Sequence, residues 1–231
     1  MSKNNNKNLK KISYKIVIIG NSQVGKTCFY KKLTKGTYQE KNISTIGIDK
    51  AKITKIISVP EDPFDLSSEE KEIEFTIEFF DTAGQERYRS ITSGYYKNSQ
   101  GLLLLYDITN KKSFEDIEIW INSVVENLGE RESNSKKNYS LILIGNKIDL
   151  EEKRVITKEE AEEICHKNNI RWGGELSIKA MSVEELEDKF TEIMRIIYKD
   201  IGNPLSNKMI TTKLTDGENS KKKKKDNKLC C

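Results

Sequence analysis

Apolar positions along this chain follow two rhythms, and the changes of rhythm mark its elements. Tyr14–Ile19 is a short continuous apolar run that stops at Gly20, and Gly25–Leu33 continues with helical spacing. Lys50–Val59 and Glu72–Phe80 alternate in period two across a connection containing Pro60 and Pro63, which predicts an antiparallel pair. Gly101–Tyr106 and Ser140–Asn146 are again continuous, the pattern of strands buried on both faces of a mostly parallel sheet. Between them Ser113 precedes Phe114, Ile117, Ile121, Val124, Val125 and Leu128, all on one helical stripe. Thr157 with Glu160, and Ser182 with Glu185, have the spacing at which a side chain and a backbone amide satisfy each other at a helix start. A last helix carries Val183, Leu186, Phe190, Ile193, Met194 and Ile197 on one face and ends near Gly202–Pro204. The alternation predicts one α/β domain over 12–204, with a mixed, mostly parallel sheet of about six strands and helices on both faces. The polar stretches 1–11 and 205–231 have no periodicity and are predicted to be disordered.

Charge sharpens this division. Of 231 residues, 40 are Lys or Arg and 36 are Asp or Glu, a net +4. The two ends carry +4 (1–11) and +5 (208–231), so residues 12–207 balance at −5. A nucleic-acid-binding domain would hold its positive charge on the folded face, so no nucleic-acid partner is expected. Basic tails suit an anionic membrane leaflet instead. The apolar runs Ile16–Ile19 and Leu102–Tyr106 fall far short of the roughly 20 residues that span a bilayer. The asparagine- and lysine-rich start has no apolar segment of the kind a secretory signal needs. Four cysteines, Cys28, Cys165, Cys230 and Cys231, make neither a disulfide nor a zinc framework, which fits a reducing compartment.

Gly20-Asn-Ser-Gln-Val-Gly-Lys26-Thr27 matches the phosphate-loop pattern directly after a strand and before a helix. Such a loop turns backbone N–H groups toward a polyphosphate, and the helix N-terminus adds its partial positive charge. The candidate cradle is Gly20, Ser22, Gln23, Val24, Gly25, Lys26, Thr27 and Cys28. Lys26 is placed to reach the β- and γ-phosphates, and the Thr27 hydroxyl to ligate Mg²⁺. Asp81-Thr-Ala-Gly84-Gln85 follows the second strand of the antiparallel pair, where the second side of a magnesium shell belongs. Gly84 allows close approach of backbone to a γ-phosphate, and Gln85 can orient an attacking water. Asn146-Lys147-Ile148-Asp149 closes a buried strand, at the sheet edge where open α/β folds bind ligands. Asp149 can accept from both N1–H and the exocyclic amine of guanine. Adenine offers neither donor and would leave the carboxylate desolvated and unpaired.

With these three motifs in order, residues 14–200 resemble a Ras-superfamily small GTPase, and most closely the Rab branch. The segment 43–49 resembles the first switch, which implies that Thr45 completes the Mg²⁺ shell and senses the γ-phosphate. The segments 87–92 and 95–97 resemble the second switch and the helix after it, and Glu175-Leu-Ser177-Ile178-Lys179 stands where the family has its guanine loop. The resemblance further implies that Tyr38 stacks on the guanine ring, and that Lys26, Thr45, Gly84 and Gln85 form the catalytic set. GTP/GDP and Mg²⁺ are the implied cofactors. No arginine precedes Arg87, so the first switch has none to lend to catalysis, and a GTPase-activating protein is expected to supply one. An exchange factor, a Rab escort protein, a GDP-dissociation inhibitor and effectors on the switch surface are the other implied partners.

The departures are specific. Gln23 stands where glycine or another small residue is usual, Ile178 replaces a small alanine, and Asn42 replaces a tyrosine that lids the γ-phosphate. Lys50 and Phe80 stand for a phenylalanine and a tryptophan of the aromatic effector patch, with Tyr95 beside them. The 60–71 connection is longer than in a typical Rab hairpin. At the other end, Cys230-Cys231 resembles the Rab signal for double geranylgeranylation, and Lys221–Lys225 adds a basic run. The expectation is a GTP/GDP switch in vesicle traffic, lipid-anchored at the cytoplasmic face of an intracellular or plasma membrane with a cytosolic pool. Two alternatives are a metabolic kinase with a phosphate loop, against which Asp149 counts, and a GTP-bound scaffold with little turnover.

Overall fold

The computed structural model describes residues 9–38, 48–62, 69–82, 93–129 and 138–202. Six strands form one sheet: β1 (Lys10–Ile19), β2 (Ile48–Pro60), β3 (Glu70–Thr82), β4 (Gly101–Asp107), β5 (Ser140–Asn146) and β6 (Arg171–Leu176), in the order β2-β3-β1-β4-β5-β6. Only β2 and β3 pair antiparallel; every other neighbour is parallel. Among the described residues five α-helices accompany them: α1 (Lys26–Lys35), α2 (Lys111–Glu115), α3 (Ile117–Leu128), α4 (Lys158–Lys167) and α5 (Val183–Ile201). None of the described helices is long and apolar enough to cross a membrane.

The continuous apolar runs are explained by a core on each side of the sheet. Side chains alternate between faces along a strand. Ile16, Ile18, Leu103 and Leu105 join Phe29 of α1 and Phe190 of α5 in one cluster. Val17, Ile19, Leu102 and Leu104 join Trp120 of α3 and Ala161 of α4 in the other. Every residue of β4 and β5 is buried.

Three differences from the expected elements have local causes. β1 begins at Lys10, inside the stretch expected to be disordered, because Lys10 and Lys11 pair with Ile73 and Glu74 on β3. Lys11 also meets Glu74 at 3.1 Å. The stripe after Ser113 is two helices, with Asp116 (φ −78°, ψ −4°) between them, and Asn110 rather than Ser113 is the cap, accepting from the Ser113 amide at 3.2 Å. A short 3₁₀ helix, Ile148–Lys153, follows β5. Both anticipated capping boxes are present, at Thr157/Glu160 and at Ser182/Glu185.

The topology puts one edge to use. β1 lies between β3 and β4, its neighbours reached by connections that run in opposite directions, and the carboxyl ends of β1, β3, β4, β5 and β6 gather at the same side of the sheet. In open α/β sheets that crevice is where ligands bind.

Candidate nucleotide site

The loop from Gly20 to Gly25 joins β1 to α1, and three of its residues have left-handed backbone: Gly20 (φ +131°), Gln23 (φ +66°) and Gly25 (φ +105°). Successive reversals of this kind gather N–H groups into an anion-binding concavity. The two glycines are required by close packing as well as by φ. A Cβ on Gly20 would lie 2.3 Å from the Leu105 carbonyl oxygen, and one on Gly25 would lie 2.3 Å from Asn146 Nδ2. Gln23, which stands where a glycine is usual, carries the strain of a Cβ in left-handed backbone, and its side chain is exposed.

Lys26 opens α1 with its side chain buried. Its ammonium donates to the carbonyls of Gly20 (2.9 Å) and Asn21 (2.7 Å), tying the loop to the helix. Burial pushes its pKa down to about 8, against the opposing pull of Asp81. Asp81, near the end of β3, is fully buried, and neither carboxylate oxygen has a hydrogen-bond partner. Desolvation pushes its pKa up to about 6, although the Thr27 hydroxyl and Lys26 beside it draw it down. A buried carboxylate beside a threonine hydroxyl is a fitting pair of oxygen ligands for Mg²⁺, which takes few protein ligands and completes its shell with water and phosphate. Among the described residues no cluster of three His, Cys, Asp or Glu side chains forms a closed metal cage.

The candidate base-reading half is built on β5 and the turn after β6. Asn146 is buried and bridges both sides: Nδ2 donates to the Val24 carbonyl (2.8 Å), and Oδ1 accepts from the Ile178 amide (3.2 Å). Asp149 accepts a short hydrogen bond from the Ser177 hydroxyl (2.5 Å), and the same hydroxyl accepts from the Ala180 amide (2.9 Å). Ile178 puts its larger side chain in the core, 2% exposed, with Cδ1 close to Gly25, so the extra carbons fill the space beneath the phosphate loop. Lys179 is exposed on the turn, and Tyr38 is 36% exposed beyond the end of α1.

Other residues support this set, and their side-chain partners lie far away in sequence. Asn21 donates to Asp116 (2.7 Å) and accepts from the Trp120 indole (2.8 Å), which anchors the phosphate loop to α3. Lys147, with left-handed backbone (φ +75°), pairs with Asp107 at the end of β4 at 2.5 Å. Arg154 holds Glu175, the first residue of the guanine loop, through two bonds of 2.7 and 2.8 Å. Asp107 was detectable as the acid that ends an apolar run; the other two carry no sequence signal. Ser22, Val24 and Cys28 lie in or just after the loop, Val24 and Cys28 packing into the core. Thr45, Gly84, Gln85, Asn42, Cys230 and Cys231 lie outside the described residues. A separate cavity of about 550 Å³ sits at the amino end of β6, lined by Cys165, His166, Arg171 and Asp200 among others, and by none of the described candidate site residues.

The Ras family model matches residues 15–199. The Ras-related protein Rab-13 of Rattus norvegicus is 35% identical over 210 residues, covering 91% of this chain and 92% of that protein. Rab-8B of Homo sapiens is 35% identical over 85% of this chain and 82% of its own length, and Rab-1 of Theileria parva 33% identical over 86% and 80%. The chain belongs to the Ras family and is a Rab-type small GTPase, one that binds GTP or GDP with Mg²⁺ and hydrolyses GTP to GDP.

Proposed function

We propose that residues 12–204 act as the switch and 205–231 as its tether. In this reading Lys26 and the loop amides hold the phosphates, Thr27 and Asp81 hold Mg²⁺ from two sides, and Asp149 with the Ser177–Lys179 turn reads guanine. Mg²⁺, when bound, screens the charge that builds on the β- and γ-phosphates. The observation that carries the reading is the joint between halves: the Asn146 amide bonds both the phosphate loop and the guanine loop, so one side chain sets their separation.

The γ-phosphate would hold Thr45 and Gly84 and thereby order both switch segments, which hydrolysis releases. Gln85 would orient the water, and an activating protein would supply the missing arginine. The first test is chromatography of the nucleotide released from the purified chain by acid or heat. GDP is expected; adenine nucleotide or none overturns the base assignment. Gln85→Leu is expected to slow single-turnover hydrolysis while leaving GTP affinity nearly intact. An unchanged rate removes Gln85 from the mechanism.

Cys230 and Cys231 would carry two geranylgeranyl groups, delivered with a Rab escort protein and masked by a GDP-dissociation inhibitor in the cytosolic pool. One lipid binds membranes only marginally, and two anchor stably. Lys221–Lys225 would add up to ~1 kcal/mol each beside an anionic leaflet. The double variant Cys230→Ser/Cys231→Ser is expected to be soluble in cells; persistent membrane association would show the anchor to be misassigned.

A further inference from the structure

Lys32 is a buried cation with no part in any of the nucleotide motifs. It lies in the last turn of α1, 5% exposed. Its ammonium donates to the Ile178 carbonyl at 2.8 Å and to the Met181 carbonyl, and stands 5.6 Å from the centroid of the Tyr38 ring. An ammonium has three N–H donors, and two carbonyls and one ring face account for all three.

Those contacts fall on the two structures that the guanine reading assigns to the base. The turn Ser177–Met181 is fixed from the inside by Ser177 to Asp149 and by the Ile178 amide to Asn146. Lys32 fixes the same turn from the outside, through its carbonyls. Tyr38, the candidate stacking ring, has Lys32 on one side and remains 36% exposed. Lys26 and Lys32 share one helix, six residues or about 9 Å apart along its axis. α1 therefore carries a phosphate lysine at its start and a lysine for the base-side elements at its end.

We propose that Lys32 is a positioning residue for the guanine base, holding the Ser177–Met181 turn and the Tyr38 ring in register so that it sets how long nucleotide stays bound, and not how fast GTP is cleaved. The proposal rests on the assignment of guanine to the Asp149 pocket. It separates residence from chemistry because the Lys32 contacts lie at the base end, while Lys26, Thr27 and Asp81 face the phosphates.

The test uses the full chain loaded with fluorescent mant-GDP and Mg²⁺ and chased with excess GDP. Lys32→Met keeps the length of the side chain and removes its donors; dissociation is expected to accelerate tenfold or more. Lys32→Arg keeps the charge and the donors and is expected to stay within about threefold of the parent. Single-turnover hydrolysis of preloaded GTP is expected to stay within twofold in both. Should Lys32→Met fail to fold, Lys32→Gln, which keeps one donor group, carries the same expectation at a smaller size. Dissociation from Lys32→Met within twofold of the parent overturns the proposal. So does a loss of hydrolysis in step with dissociation, because that marks a generally weakened domain. If the parent chain itself does not retain mant-GDP, the guanine assignment fails first and takes this proposal with it.

Discussion

Gly25→Ala tests whether the two halves of the site are coupled as the geometry requires. Gly25 has φ +105°, and its added Cβ would lie 2.3 Å from Asn146 Nδ2 and 3.2 Å from Ile178 Cδ1. Left-handed backbone costs a residue with a Cβ about 1–2 kcal/mol. The larger part is the collision. Asn146 can relieve it only by moving the amide that serves Val24 and Ile178, both bonds being buried. A buried polar group left without its partner costs about 1–3 kcal/mol. Even with one of the two bonds recovered, the sum is about 3 kcal/mol, or roughly a hundredfold in nucleotide dissociation. Gly36→Ala is the control. Gly36 is also left-handed (φ +64°), at the end of α1, and nothing lies within 4 Å of its added Cβ. It should lower the denaturation midpoint through strain alone and leave mant-GDP dissociation unchanged. If Gly25→Ala releases mant-GDP no faster than Gly36→Ala, the Asn146 joint does not govern binding, and the reasoning is wrong.

Gln23→Gly should stabilise the GDP-bound protein. Relief of about 1–2 kcal/mol of left-handed strain outweighs the roughly 0.4–1 kcal/mol of unfolded-chain entropy that glycine adds. For a domain of this size the gain is a rise of about 1–4 °C in the melting temperature by calorimetry; a fall would mean that the Gln23 side chain holds the loop. Cys165 is 3% exposed, and burial pushes its thiol up to about 12 from 9. At pH 8 its thiolate fraction is then about a thousandfold below that of an ordinary thiol. In a Cys230→Ser/Cys231→Ser background, mass spectrometry after brief iodoacetamide treatment should find Cys165 intact in the folded protein and labelled after denaturation; prompt labelling of folded Cys165 would contradict its burial. The sign for stability follows, since the folded state holds the proton more tightly. The neutral thiol's contribution is fully present below pH 9 and is lost as pH rises toward 12.

The parts of the fold that could be read from the chain are those whose cause is local. Capping boxes at Thr157 and Ser182 need only neighbours three residues on, and the loop after β1 is announced by its own glycines, whatever packs on them later. β6 could not be read this way. Arg171-Trp-Gly-Gly-Glu-Leu176 neither alternates nor forms an apolar run. It becomes a strand because β5 offers it a parallel edge and Gly173 leaves no Cβ to strike Ile142. The break at Asp116 was hidden for a related reason. That carboxylate accepts from Lys112 one turn back (2.6 Å) and from Asn21, ninety-five residues away, so the helix is interrupted by what it holds. Lys32 shows the limit most plainly: on a helical wheel it is a polar residue, and its meaning lies in carbonyls almost one hundred and fifty residues later.

The departures from the family pattern divide by burial, and that division says what each can change. Ile178 directs its side chain into the core while its amide donates to Asn146. Lys50 is different. It is exposed on β2 and lies opposite Phe80 in the register of β3. Phe80 packs on Tyr95, ring centroids 5.8 Å apart, and Lys15 brings a second ammonium to 4.8 Å from the Phe80 ring. On this face the chain presents two rings, Phe80 and Tyr95, flanked by two cations. A partner with a purely apolar pocket would have to strip water from Lys50 without returning a hydrogen bond, at a cost of several kcal/mol. A partner that places a carboxylate or a carbonyl there does not meet that cost.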